Sequence, residues 1–256
     1  MHILALLSND ALQALRCCVG PTDILARVSG ATALARIARP RGADAVVIDP
    51  SAFTDAEWDE ARAALSVADV PVLLYATLDP KSVRRVLAAA ALGVREVLFR
   101  HIDDDAAAVR MRLEMLGHPA PPARLLSTLA GRIERLPPDL QRATVPLFCS
   151  APVPRWADQM AYDADVPRRS LDRWMSRAGL AGTAALLDVA RLARIWTPLV
   201  ERKASQAEVA ARAGYRRARM LAVHARRIVG VSPSHFGTRL SADEFVSRLA
   251  RHASRS

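Results

Sequence analysis

Five short apolar runs divide the first hundred residues: HILALL (2–7), DILARV (23–28), DAVVID (44–49), VPVLLYA (70–76) and REVLF (95–99). Runs of this length read as strands, and their nearly unbroken apolar character suits strands covered on both faces. Helical patterns stand between them: ALQALRCCV (11–19), TALARIA (32–38), DAEWDEARAAL (55–65) and KSVRRVLAAAALG (81–93). Thr54 and Glu57 have the spacing of a capping box, and Asp79-Pro80 offers an N-cap followed by proline at the first helical position. Strands that alternate with helices predict an α/β domain over residues 1–117, with a five-stranded parallel sheet and helices on both faces.

The second part of the chain has a different grammar. Half of the 16 prolines fall between Pro119 and Pro154, most of them in the clusters HPAPP (118–122), LPP (136–138) and APVP (151–154). Proline removes a backbone donor and restricts its predecessor, so these clusters punctuate regular structure. The helical patterns PARLLSTLAGRIERL (122–136) and DLQRATVPLF (139–148) lie between them, and 118–154 reads as a helical connector rather than a flexible tether. From 155 to 256 every pattern is helical. The longest, TAALLDVARLARIWTPL (183–199), separates two segments of similar layout, and Ser205/Glu208 and Ser241/Glu244 mark further helix starts.

Charge divides as the patterns do. Residues 1–150 carry 17 basic and 17 acidic side chains, whereas residues 151–256 carry 19 and 9, so the whole net charge of +10 sits in the helical part. A basic domain joined to a neutral one predicts a polyanionic partner. Within it, PRRSLDRWMSRA (167–178) places Leu171, Trp174, Met175 and Ala178 on one helix face and Arg169, Arg173 and Arg177 on the other, with Arg168 flanking. The short helical pattern ADQMAYDAD (157–165) precedes it, with Val166 in the turn. The second copy runs SQAEVAARAG (205–214), Tyr215, then RRARMLAVHARRIV (216–229). Here Ala218, Leu221, Ala225 and Ile228 face inward, Arg216, Arg219, Arg226 and Arg227 outward, and Arg217 lies at the flank. Met220 and Val223 also fall on the outward face, where thymine methyls and a protein partner are both candidates for contact. One arginine-rich face alone is usually a solvated surface. Two of them, each behind a short helix and a turn, predict double-stranded DNA as the partner.

Residues 157–236 resemble the DNA-binding domain of the AraC/XylS family of bacterial regulators. The resemblance rests on VPRRSLDRWMSRAGL (166–180), VAARAGYRR (209–217) and IVGVSPSHF (228–236), with Arg191 at a position where the family commonly has Arg. Leu221 and Ala225 stand where the family has Phe, and Val223 where it has Arg. The resemblance implies two helix-turn-helix units whose reading helices enter successive major-groove segments roughly 34 Å apart. Residues 1–116 resemble a response-regulator receiver, which implies a flavodoxin-like fold with Asp49 at the phosphoacceptor position and Arg100 where receivers carry Lys. Ser8 and Asn9 replace the expected acidic pair, with Asp10 one residue late, and Ala76 and Thr77 stand near the expected Thr/Ser position. Fewer carboxylates weaken a Mg²⁺ site, so the resemblance implies the fold more than the phosphoryl chemistry.

No phosphate-binding loop, Gly-rich dinucleotide turn or H-E-x-x-H helix occurs, so neither an enzyme nor a cofactor is expected. His101 beside Asp103, Asp104 and Asp105 reads as an acidic loop start, and Cys17, Cys18 and Cys149 as reduced thiols. The start lacks a basic region ahead of its apolar stretch, and no apolar run approaches the roughly 20 residues of a membrane span, so a cytoplasmic chain without membrane contact is expected. The leading expectation is a sequence-specific transcription regulator whose receiver-like domain serves signal input or homodimerisation without phosphorylation. An interaction adaptor with a degenerate helical domain, and a regulator gated by phosphorylation of Asp49, are the alternatives.

Overall fold

A computed structural model of the chain describes residues 1–20, 22–28, 43–68, 70–94, 96–103, 105–114, 116, 120–149, 153, 156–201 and 203–254. The helical pattern at 32–38 lies outside them. The chain divides into two units. Met1–Pro119 with Cys149–Ala151 forms the first, and Ala120–Phe148 with Pro152–Ser256 the second.

In the first unit, β1 (His2–Leu6), β2 (Ile24–Arg27), β3 (Ala45–Ile48), β4 (Val72–Ala76) and β5 (Glu96–Phe99) form an all-parallel sheet in the order β2-β1-β3-β4-β5. This is a doubly wound order whose switch point lies between β1 and β3. Side chains alternate across a strand. One set, including Ile3, Ala5, Val47, Leu73, Tyr75 and Leu98, forms a core with Leu12 and Leu15 of α1 (Asn9–Arg16) and with Val109 and Leu113 of a later helix, Ala106–Glu114. The other set, Leu4, Leu6, Val46, Ile48 and Leu74, is equally buried. Helices α2 (Asp55–Leu65) and α3 (Pro80–Ala91) contribute buried Trp58, Ala61, Val83, Val86 and Leu87. Helix Ala106–Glu114, here α4, was not among the sequence patterns.

Local signals set the helix starts. The Thr54–Glu57 capping box closes in both directions, with Thr54 N donating to Glu57 Oε2 (2.8 Å) and Glu57 N to Thr54 Oγ1 (3.3 Å). Asp79 Oδ1 accepts from Lys81 N (2.9 Å) and Ser82 N (3.0 Å). Burial pushes the Asp79 carboxyl up, but the Ser82 and Thr77 hydroxyls and the Ser82 and Lys81 N–H groups outweigh it and bring it down to about 2. Buried Arg85 of α3 donates to Pro50 O (2.6 Å), Phe53 O (2.8 Å) and Asp55 (2.5 Å), tying α3 to the segment after β3.

The second unit is helical among its described residues: α5 (Pro121–Ile133), α6 (Pro138–Thr144), α7 (Ala157–Asp163), α8 (Arg168–Arg177), α9 (Thr183–Ala193), α10 (Gln206–Arg212), α11 (Ala218–Val229) and α12 (Ala242–Ala253). The stretch expected as a connector contributes α5 and α6 to this unit. Pro121 and Pro138 open these helices at their first positions rather than closing structure, because an N1 residue needs no N–H partner. Leu125, Leu126, Leu129 and Ile133 then bury one face of α5, which packs on α12 and α9. Arg194 donates to Leu147 O (2.9 Å), and Trp196, Phe236 and Phe245 cluster with centroids 4.9–5.6 Å apart.

Candidate nucleic-acid interface

Two helix pairs in the second unit, α7–α8 and α10–α11, have the same local construction. After α7, Asp165 takes φ +50° and the chain closes with Asp165 N to Tyr162 O (3.0 Å) and Val166 N to Ala161 O (3.0 Å). After α10, Gly214 takes φ +81°, with Gly214 N to Ala211 O (3.1 Å) and Tyr215 N to Ala210 O (2.8 Å). Both are Schellman closures, which need a left-handed residue that glycine adopts freely and aspartate tolerates. Burial repeats helix by helix, with the link to the second helix one residue longer in the second pair. Met160 and Ala161 match Val209 and Ala210, 49 residues on, and Leu171 and Met175 match Leu221 and Ala225, 50 residues on; all eight are buried.

The arginines of α8 separate into two kinds. Arg169, Arg173 and Arg177 are exposed, and the Arg177 guanidinium lies 5.3 Å from the ring of Trp174, which is half-buried rather than part of the core. Arg168 is half-buried and internally engaged, with Asp172 at 2.5 Å, Asp158 at 3.5 Å and Thr183 Oγ1 at 3.3 Å. On the second pair, Arg216, Arg219, Arg226 and Arg227 are exposed; Arg216 precedes α11, and exposed Arg217 is its N-cap residue. Met220 and Val223 are 48% and 49% exposed on the same face.

Two carboxylates absent from the sequence expectation fix both helix pairs to α9. Asp172 Oδ1 accepts from Thr183 N (3.2 Å) and Thr183 Oγ1 (2.7 Å) at the start of α9. Burial raises its carboxyl, but Arg168 and Thr183 outweigh that and hold it below the usual carboxylate range. Asp188, midway along α9, accepts from Arg227 (2.8 Å) and Arg191 (3.4 Å). Tyr215 packs edge-on to His224, with centroids 5.5 Å apart. Burial first, and then the Asp188 charge, pushes its phenol up to about 12. The sequence signal for these anchors was a single acidic residue on each otherwise basic or apolar helix.

In the first unit Asp49 is fully buried at the carboxyl end of β3. Its Oδ1 accepts from Ser51 N (2.8 Å) and Ser51 Oγ (2.6 Å), and its Oδ2 from Arg100 (3.1 Å) and Ser8 Oγ (3.3 Å). Arg100 also lies 6.0 Å from the Tyr75 ring. Asp49, Ser8 and Arg100 are therefore brought together, with both carboxylate oxygens engaged by neighbouring donors. Asp104 lies outside the described residues; among the described residues no cluster of three His, Cys, Asp or Glu is placed to hold a metal. No described helix is long and apolar enough to cross a membrane. Compared with profiles of known protein families, with curated proteins and with solved structures, the chain matches none.

Proposed function

We propose that the chain is a sequence-specific regulator of transcription that binds double-stranded DNA with α8 and α11, each the second helix of a helix-turn-helix unit. The observation that carries this reading is the repeated helix pair: the same turn chemistry and burial pattern, with exposed guanidiniums opposite each packed face. Such a helix fits the major groove, and arginine forks match both guanine edges and phosphates. The AraC/XylS resemblance of residues 157–236 agrees with it. The sheet unit is proposed as a receiver-like domain for input or homodimerisation. Its Asp49 carboxylate is already neutralised by Arg100 and occupied by Ser8 and Ser51, which favours a role without phosphorylation. Treatment with Mg²⁺ and a small phosphodonor is expected to leave Asp49 unlabelled.

Fluorescence anisotropy of the full chain with duplex DNA across a salt series tests the DNA reading. Log affinity falls by about 0.9 per log salt for each phosphate neutralised, so six phosphate contacts give a slope of about −5. Binding that ignores salt, or no binding, overturns it. An adaptor role is the second reading, favoured by the exposure of Met220 and Val223. It predicts that Arg169→Ala/Arg173→Ala leaves promoter control intact.

A further inference from the structure

The two reading helices are built alike but do not carry the same chemistry at their tips. At about 100° per residue, the buried Leu221, Ala225, Ile228 and Val229 define the inner side of α11, and Val223 lies opposite them, at the crest. Arg219 and Arg227 flank it, and Met220 stands one position to the side. Shifted by 50 residues, the crest of α8 is Arg173, flanked by Arg169 and Arg177, and Ser170 occupies the place of Met220. The flanking arginines are thus retained while the crest changes from guanidinium to bare hydrocarbon. Both apolar side chains fall in the first two turns of α11, the part of a reading helix that meets base edges.

We infer that the two helices read chemically different half-sites: Arg173 takes a guanine edge in one, and Val223 with Met220 covers the 5-methyl groups of thymine in the other. The inference rests on the DNA reading given above. Guanine offers paired acceptors N7 and O6 to a guanidinium, and the thymine methyl is the apolar feature of the major groove. Charge favours nucleic acid over a protein as occupant, since Arg219, Arg226 and Arg227 surround the apolar pair.

The test uses duplexes selected from a random pool by the full chain, with each thymine then replaced singly by deoxyuridine, which deletes the methyl alone. In one half of the site, one or two replacements are expected to weaken binding about fourfold each, the worth of one buried methyl. Val223→Ala and Met220→Ala remove that sensitivity, and Val223→Arg shifts the preferred base at that position to guanine. Both positions are exposed, so these variants fold as the parent does. Indifference to deoxyuridine throughout a selectively bound site overturns the inference while the DNA reading stands. A failure to select any duplex overturns both. Duplex binding unchanged in Val223→Asp, with a protein ligand lost instead, assigns the apolar pair to a protein and overturns the inference.

Discussion

Replacing Asp49 by Asn probes how the carboxyl edge of the sheet is held. The amide keeps the shape of the side chain and its contacts with Ser51 but removes the charge facing Arg100 at 3.1 Å. Arg100 cannot shed its proton and is left beside the Tyr75 ring without a counter-ion. Breaking a buried pair from one side costs about 3–5 kcal/mol. Arg100 keeps 12% exposure and can turn partly to solvent, which lowers the expected cost to about 2–3 kcal/mol. Removing the orphan too, in Asp49→Asn/Arg100→Met, restores most of this because no desolvated charge remains. Arg100→Met alone leaves buried Asp49 unpaired and is costly too, so the two substitutions couple by at least about 2 kcal/mol. Hydrogen exchange of the full chain, read by mass spectrometry on peptides covering β3 and β4, reports the local opening free energy. Asp49→Asn should speed exchange about thirty- to a hundred-and-fiftyfold, and the double variant should return to within about tenfold of the parent. Strictly additive costs would refute the view that these two charges compensate each other.

Asp79→Ala removes the cap of α3 and should cost about 1–2 kcal/mol at neutral pH. Because the folded carboxyl is held near 2, below its ordinary 3.8, its contribution is present above that ordinary value and fades as pH falls toward 2. Circular dichroism of parent and variant should therefore converge over that window. Gly214→Ala meets no atom within 4 Å of the new Cβ, so its cost of about 1 kcal/mol comes from the backbone at φ +81° alone, and Gly214→Asn should cost less in urea unfolding. Arg169→Ala should make the salt slope of DNA binding shallower by about 0.9 with stability unchanged. Arg168→Ala should instead lower stability, through Asp158, Asp172 and Thr183, and leave the slope nearly as it was.

The sheet was legible because β1, β3, β4 and β5 are short apolar runs buried along nearly their whole length, a pattern that survives without knowledge of neighbours; β2, with Ile24 and Arg27 exposed, was readable from its apolar composition alone. Strand order was not, since the crossover between β1 and β3 depends on packing rather than on any one segment. Helix α4 escaped because AAAVRMRLE offers just two large buried anchors among its described side chains, Val109 and Leu113, a single i,i+4 step too short to set a period. Prolines misled at 118–154, where the same residue that ends one element begins the next. The arginine stripes were readable from helical spacing. What spacing hid was the difference between Arg168 and Arg169, adjacent and identical in kind, which depends on Asp158 of α7 and Thr183 of α9 as well as on Asp172 one turn along α8 itself. Asp188 and Arg227 meet across 39 residues of chain, a separation no local pattern encodes.

Anchoring both helix pairs to α9 gives the proposed reader a head and a tail. An unlike pair carried on one rod recognises its target in a single polarity, so reversing the target relative to the start of a transcript would turn the helical unit around.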